Sequence, residues 1–260
     1  MGPTWKAGNS KFFGHWRRIS THLTRASLRG SGAAGALFND EPPLRAELFS
    51  IDQMEQHGVR LASAHRLTPG RMPDQLLSRL AANEGILVET CARLTAAVAA
   101  SHRITPAGEW LLDNFYLVEE QIRTARRHLP KGYSRELPIL AAGTSGGLPR
   151  VYDIALETIA HGDGRVDPDS LSRFVAAYQT ITPLRLGELW AIPIMLRLAL
   201  IENLRRVAVR IAAGRMDRDL AVTWANRLTE IARQDTKSLI LVIADMARSH
   251  PPLTTPFVSE

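Results

Sequence analysis

Between Thr105 and Leu129 the apolar residues Leu111, Phe115, Val118, Ile122, Ala125 and Leu129 recur at steps of four and three. Glu109, Asp113, Glu119, Glu120, Arg123, Arg126 and Arg127 occupy the other positions. This spacing turns one stripe to a core and the opposite face to water, as in an amphipathic α-helix. The helix is expected to begin at Thr105-Pro106, where threonine caps and proline fills the first turn without losing a hydrogen bond. Pro130-Lys131-Gly132 ends it.

The same signals recur along the chain. Ser50 is the predicted cap of a helix to about Arg66, stopped by Thr68-Pro69-Gly70. Asp74 opens another to about His102, with Leu76, Leu80, Leu87, Leu94 and Val98 at helical spacing and Gly85 weakening it by up to about 1 kcal/mol. Residues 130–149 read as a long connection with at most one short helical turn. Helices resume over 150–160 and, behind Asp167-Pro168, over 169–179 with Leu171, Phe174, Val175 and Tyr178 inward.

Residues 188–213 are apolar nearly all round in their first half, which belongs in the middle of the fold; Pro193 either kinks this helix or marks its start. Residues 217–233 and 237–248 give two more. Leu239 to Ala244 has the composition of a strand, but its surroundings favour helix. Thr255-Pro256-Phe257 repeats the cap-and-proline device and reads as a helix cut short by the end of the chain. The expected fold is all-α, a multi-helix array or bundle of about seven to nine helices.

The net charge of +6 invites a nucleic-acid reading until it is located. Residues 1–39 hold Lys6, Lys11, Arg17, Arg18, Arg25 and Arg29 and no acid, so the remainder of the chain is balanced. The expected organisation is a basic disordered leader over 1–43 and a helical domain over 44–260, truncated at its C-terminal end, with no nucleic-acid partner. Phe12, Phe13 and Trp16 among the basic residues leave room for contact with a membrane surface. No apolar segment near the start marks a secretory signal. The most apolar stretch, Leu189 to Ile201, contains Arg197 and falls short of the roughly 20 residues a spanning helix needs. One cysteine, Cys91, excludes a disulfide framework and a multi-cysteine zinc site.

Several motifs imitate active sites. Gly30 to Gly35 matches the dinucleotide fingerprint by letter, without the strand before it that the phosphate site requires. Gly143-Thr144-Ser145-Gly146-Gly147 matches a nucleophile elbow, and Asp153 and His161 follow in hydrolase order. Leu148-Pro149 delays the helix an elbow needs at once, so a flexible glycine loop is the expected reading and a serine hydrolase at Ser145 a distant one. The acidic run from His161 to Asp169 lacks the distal glutamate of a calcium loop. Asp217-Arg218-Asp219 is expected to open a helix. The eight histidines show no paired zinc spacing; His57, His65, His102 and His128 are expected on helix surfaces or ends, and no metal site is assigned. Trp110, Trp190 and Trp224 are expected in the core.

Three stretches go beyond generic helix: Glu109 to Phe115 continuing through Glu120-Gln121-Ile122-Arg123; Leu148-Pro149-Arg150-Val151-Tyr152; and Thr182-Pro183-Leu184 with Gly187 to Arg197 and Glu202-Asn203-Leu204-Arg205-Arg206. In order and spacing they resemble the N-terminal region of cyclic β-1,2-glucan synthases, over about residues 44–260. The resemblance implies a cytoplasmic helical segment of a large inner-membrane glycosyltransferase that builds β-1,2-glucan from UDP-glucose with a divalent metal. Its partners would be the remaining domains of the same enzyme, and it would meet the membrane only through the full-length protein, at the cytoplasmic face of the bacterial inner membrane. No catalytic or cofactor-binding residue carries over, because the family's transferase motifs lie further along. Where relatives carry a proline- and glycine-bearing loop before Pro149, this sequence has Thr144-Ser145. Glu109, Asp113, Asn114, Arg150, Glu188, Arg197, Glu202 and Asn203 are the candidates for a buried polar network or an interdomain surface, with helix caps and internal salt bridges as the alternative. A free-standing helical adaptor for protein or an anionic membrane is the rival reading.

Overall fold

The computed structural model describes residues 42–44, 46–69, 73–129 and 132–259. The expected leader over 1–43, apart from Pro42 and Pro43, and the Gly30–Gly35 motif lie outside them. Among the described residues there are nine α-helices and no strand, only two isolated bridges, Leu67 with Leu140 and Ile139 with Pro149. The helices are α1 (Ile51–Ala64), α2 (Leu76–Ala99), α3 (Pro106–Asp113), α4 (Phe115–His128), α5 (Arg150–His161), α6 (Pro168–Gln179), α7 (Leu186–Gln234), α8 (Leu239–Ser249) and α9 (Thr255–Val258).

The capping signals operate as read. Ser50 Oγ accepts from Gln53 N at 3.3 Å while Gln53 Oε1 accepts from Ser50 N at 2.8 Å, a reciprocal capping box. Thr105 and Asp167 accept from Gly108 N and Ser170 N, each with proline next in sequence. Near the end of the chain the cap is Thr254, one residue before the predicted Thr255. The segment Leu239–Ala244 is helical, within α8.

Two helices differ from expectation. The stretch after Thr105 is two helices, broken at Asn114, whose side chain donates to Trp110 O at 2.8 Å and competes for the backbone there. The apolar stripe continues across the break, which is why spacing alone reads one helix. Conversely, the two helices expected over 188–213 and 217–233 are the single 49-residue α7, roughly 70 Å long. Pro193 lies inside it, and Gly214 gives Pro256 of α9 room to pack, since a Cβ there would stand 3.3 Å from the proline ring. Asp217 and Asp219 therefore sit within a helix and do not open one; they bond Thr254 and Arg215.

α7 is the spine, packing against α2, α3, α4, α5, α8 and α9. α1 and α6 pair separately, sharing a core of Met54, Ala62, Phe174, Val175 and Tyr178 with Ile154 of α5. They cross at Gly58, where a Cβ would lie 2.7 Å from Phe174 O. No described helix is long and apolar enough to cross a membrane.

The connection before α5 holds one 3-10 turn, Tyr133–Glu136. The rest is tied down: Thr68 N donates to Ile139 O and Ala141 N to Arg66 O, both at 2.8 Å, and Leu137, Ile139, Leu140 and Leu148 are buried. Gly143 and Gly147 adopt positive φ, and the Gly147 amide is bonded to Leu140 O, so the glycine loop is pinned rather than loose.

Candidate functional site: a buried polar network on α5

The first four residues of α5 are Arg150-Val151-Tyr152-Asp153, and all are buried. Val151 adds to the core; Arg150 and Tyr152 reach α7 at two points, and Asp153 reaches Ser145 and His65. Arg150 donates to Glu188 of α7 through Nε at 2.6 Å and Nη2 at 2.7 Å, a two-pronged pair 3% and 1% exposed. Its Nη2 also donates to Pro183 O at 2.9 Å. Glu188 in turn accepts from Arg185 N and so closes the first turn of α7. Burial alone would lower the Arg150 pKa; the bonds and charge of Glu188 outweigh it and raise it.

Tyr152 donates to Glu202 at 2.5 Å. Glu202 is fully buried and also accepts from Arg79 of α2 and, at 2.6 Å, from Arg206. Burial pushes the Glu202 carboxyl up, but these donors more than offset it and hold the pKa at about 2. Burial, with the Glu202 charge adding, drives the Tyr152 phenol well above its ordinary value.

Asp153 accepts from Ser145 Oγ through Oδ1 and from His65 Nε2 at 3.0 Å through Oδ2, and His65 Nδ1 is hydrogen-bonded to the Tyr178 hydroxyl at 2.9 Å. This order is decisive against a hydrolase. An acyl-transfer triad places histidine between serine and carboxylate so that the imidazole takes the serine proton. Here aspartate stands between them, Ser145 is 4% exposed, and His161, the sequence candidate, is not in the chain of bonds. The serine is a tether holding the 143–147 loop to α5.

The other candidates fall differently. Asn203 Oδ1 accepts from Leu44 N at 2.8 Å, and half-buried Arg197 donates to Gln121 at 3.0 Å. Glu109 and Asp113 are exposed, and Asn114 bonds only locally. Trp110 and Trp190, expected in the core, are 55% and 73% exposed; Trp224 is half-buried beneath Arg227. The depression beside the Glu202 cluster, lined by Leu76, Arg79 and Tyr152 among others, has no room for even a water molecule and so is not a ligand pocket.

Sequence spacing misses two histidine roles. His65 joins the Asp153 chain, and His57 of α1 meets Glu157 and His161 of α5, with ligand atoms all within 4.8 Å of one another. Only Glu157 and His161, four apart on one helix, could have hinted at it; His57 is brought in by the fold.

The three stretches noted in the sequence thus meet in space: Arg150 binds Glu188 and Pro183, Tyr152 binds Glu202, and Arg197 binds Gln121. No protein-family model matches the chain. The helical array is related to the cyclic β-1,2-glucan synthases. In particular, it is similar to the cyclic beta-(1,2)-glucan synthase NdvB of Rhizobium meliloti (strain 1021), 38% identical over 196 residues. That is 75% of this chain and 7% of the relative, so the chain corresponds to a small part of it.

Proposed function

We propose that this chain is a non-catalytic helical segment of a cyclic β-1,2-glucan synthase-like glycosyltransferase, one that steadies the catalytic part. The observation that carries the reading is the 38% identity to such a synthase over three quarters of the chain. In the whole enzyme UDP-glucose would be the donor, with a divalent metal, and the partners would be the other domains. The helical domain over 44–260 would lie at the cytoplasmic face of the inner membrane, behind a basic leader over 1–43.

Two features agree with a supporting role. The buried polar side chains of α5 are committed to Glu188 and Glu202 of α7 and to His65 just after α1, and Arg79 of α2 joins them through Glu202. Large apolar side chains stand in solvent at the start of α7, Leu186 and Trp190, and along α8, Ile240, Leu241 and Ile243, as surface for neighbouring domains to cover.

The test is to incubate the purified chain with UDP-glucose, divalent metal and a β-1,2-glucan primer and follow UDP release. No release above the buffer rate is expected. Sustained release by the chain alone would overturn the reading.

A further inference from the structure

At the far end of α5 from the Arg150 cluster, three side chains face one another. Glu157 and His161 stand four apart on that helix, and His57 approaches from α1. His57 Nε2 lies 2.7 Å from Glu157 Oε2 and His161 Nε2 lies 3.3 Å from the same oxygen. The side chains are 18%, 30% and 10% exposed for His57, Glu157 and His161.

The second nitrogen of His161 fixes what the first can do. His161 Nδ1 is 2.7 Å from the Glu47 carbonyl, which can only accept, so Nδ1 carries the proton. In the neutral ring Nε2 then presents a lone pair to a carboxylate oxygen, an arrangement that a second proton on the ring or a bound metal ion would satisfy. A backbone carbonyl on the far nitrogen is also how metal-binding imidazoles are oriented.

The rings are held as well as aimed. Phe49 stacks on His161 with centroids 3.7 Å apart and planes 11° apart, and Phe174 lies parallel to His57 at 5.9 Å. His161 ends α5, where the free carbonyls of the last turn favour positive charge.

We propose that His57, Glu157 and His161 bind one Zn(II) ion that clips α1 and the 46–49 segment to the end of α5. Two imidazole nitrogens and one carboxylate are a donor set zinc takes, with a fourth position left to water. With bonds of about 2.0–2.1 Å, tetrahedral ligands stand roughly 3.3 Å apart. The His161 to Glu157 distance of 3.3 Å already has this value. The His57 to Glu157 distance of 2.7 Å opens by a rotamer adjustment. The bond that forms is coordinate, and the proton that His57 Nε2 shares with Glu157 is replaced by one on Nδ1, through exchange with solvent, so that a neutral imidazole meets the metal.

The test uses the whole chain, stripped with a chelator and titrated with Zn(II) in a calorimeter. One ion per chain is expected, with a zinc-dependent rise in Tm. His57→Gln, Glu157→Gln and His161→Gln should each weaken binding by about tenfold or more, while His102→Gln leaves it unchanged. Nitrogen NMR of the unmutated chain gives a reading that no folding defect can confuse: zinc must shift Nε2 of two histidines while one of them keeps its Nδ1 proton. The proposal is overturned if the folded chain takes up no Zn(II) saturably, or if the imidazole signals do not move. Unchanged uptake by the His57→Gln/His161→Gln variant would assign the metal to other histidines and overturn it equally.

Discussion

Arg150 and Glu188 are joined by two parallel hydrogen bonds of 2.6 and 2.7 Å in a site that is almost wholly closed to water. Each cancels a charge that the interior could not hold alone. Glu188→Ala would leave the guanidinium buried without its partner, at a cost of about 3–5 kcal/mol. Arg150→Lys should also destabilise, because an ammonium cannot reproduce the fork. Urea unfolding followed by circular dichroism reads both. The double variant Arg150→Met/Glu188→Leu should recover much of the loss, and failure to exceed Glu188→Ala would contradict the pairing argument.

Glu202 makes the fold acid-sensitive. Its pKa falls from an ordinary 4.5 to about 2 on folding, so its contribution is complete above pH 4.5 and is lost as pH falls toward 2. The contribution is roughly 3 kcal/mol. Unfolding free energy measured across this window should decline, and Glu202→Gln should flatten the decline while lowering stability at neutral pH. An unchanged pH slope in Glu202→Gln would refute this assignment.

Gly58 is where α1 and α6 touch. Gly58→Ala places a methyl 2.7 Å from Phe174 O, a backbone atom that cannot step aside without moving the helix. The expected loss is about 1–3 kcal/mol, despite the better helix propensity of alanine. A stabilised Gly58→Ala chain would show that the two helices do not cross this closely.

Ser145 should be inert as a nucleophile. A fluorophosphonate probe should leave the folded chain unlabelled, and Ser145→Ala should reduce stability by about 1–3 kcal/mol by removing a buried donor from Asp153. Labelling that Ser145→Ala abolishes would contradict the order of bonds described above.

Cys91 is fully buried, and burial, with the Glu119 charge adding, pushes its thiol up to about 12. A disulfide reagent at neutral pH should therefore react only as the chain unfolds, at a rate that tracks denaturant. Fast modification of the native chain would place Cys91 outside the α2 core.

Much of this fold is written in local signals. Ser50, Thr105 and Asp167 each cap by their own side chain, so the starts of α1, α3 and α6 are readable from a few adjacent residues. The errors arise where tertiary contacts override local grammar. Asn114 breaks a stripe that remains apolar on both sides, and α7 runs through Gly214 because Pro256, distant in sequence, packs there. Trp110 and Trp190 obey helical spacing and still face water, since spacing reports a face and not what covers it.

The site divides in the same way. Arg150, Glu188 and Glu202 are charges inside apolar runs, and such residues need partners wherever the helix is buried. His65 and His57 carry no such mark. Their partners Asp153, Glu157 and His161 lie about a hundred residues away, and only the packing of α1 beside α5 joins them.

The proposed role is support of a glucan synthase through the internal network, with no step of the reaction performed by these residues. It is tested most directly in a chimera, with the matched segment of the Rhizobium meliloti synthase replaced by the corresponding residues of this chain. Glucan synthesis from UDP-glucose is then measured in membranes and normalised to the amount of enzyme. Synthesis by the chimera is expected, with loss together with folded enzyme on Glu188→Ala and recovery in Arg150→Met/Glu188→Leu. Full synthesis in a Glu188→Ala chimera, or none in a stably folded Arg150→Met/Glu188→Leu chimera, would contradict it.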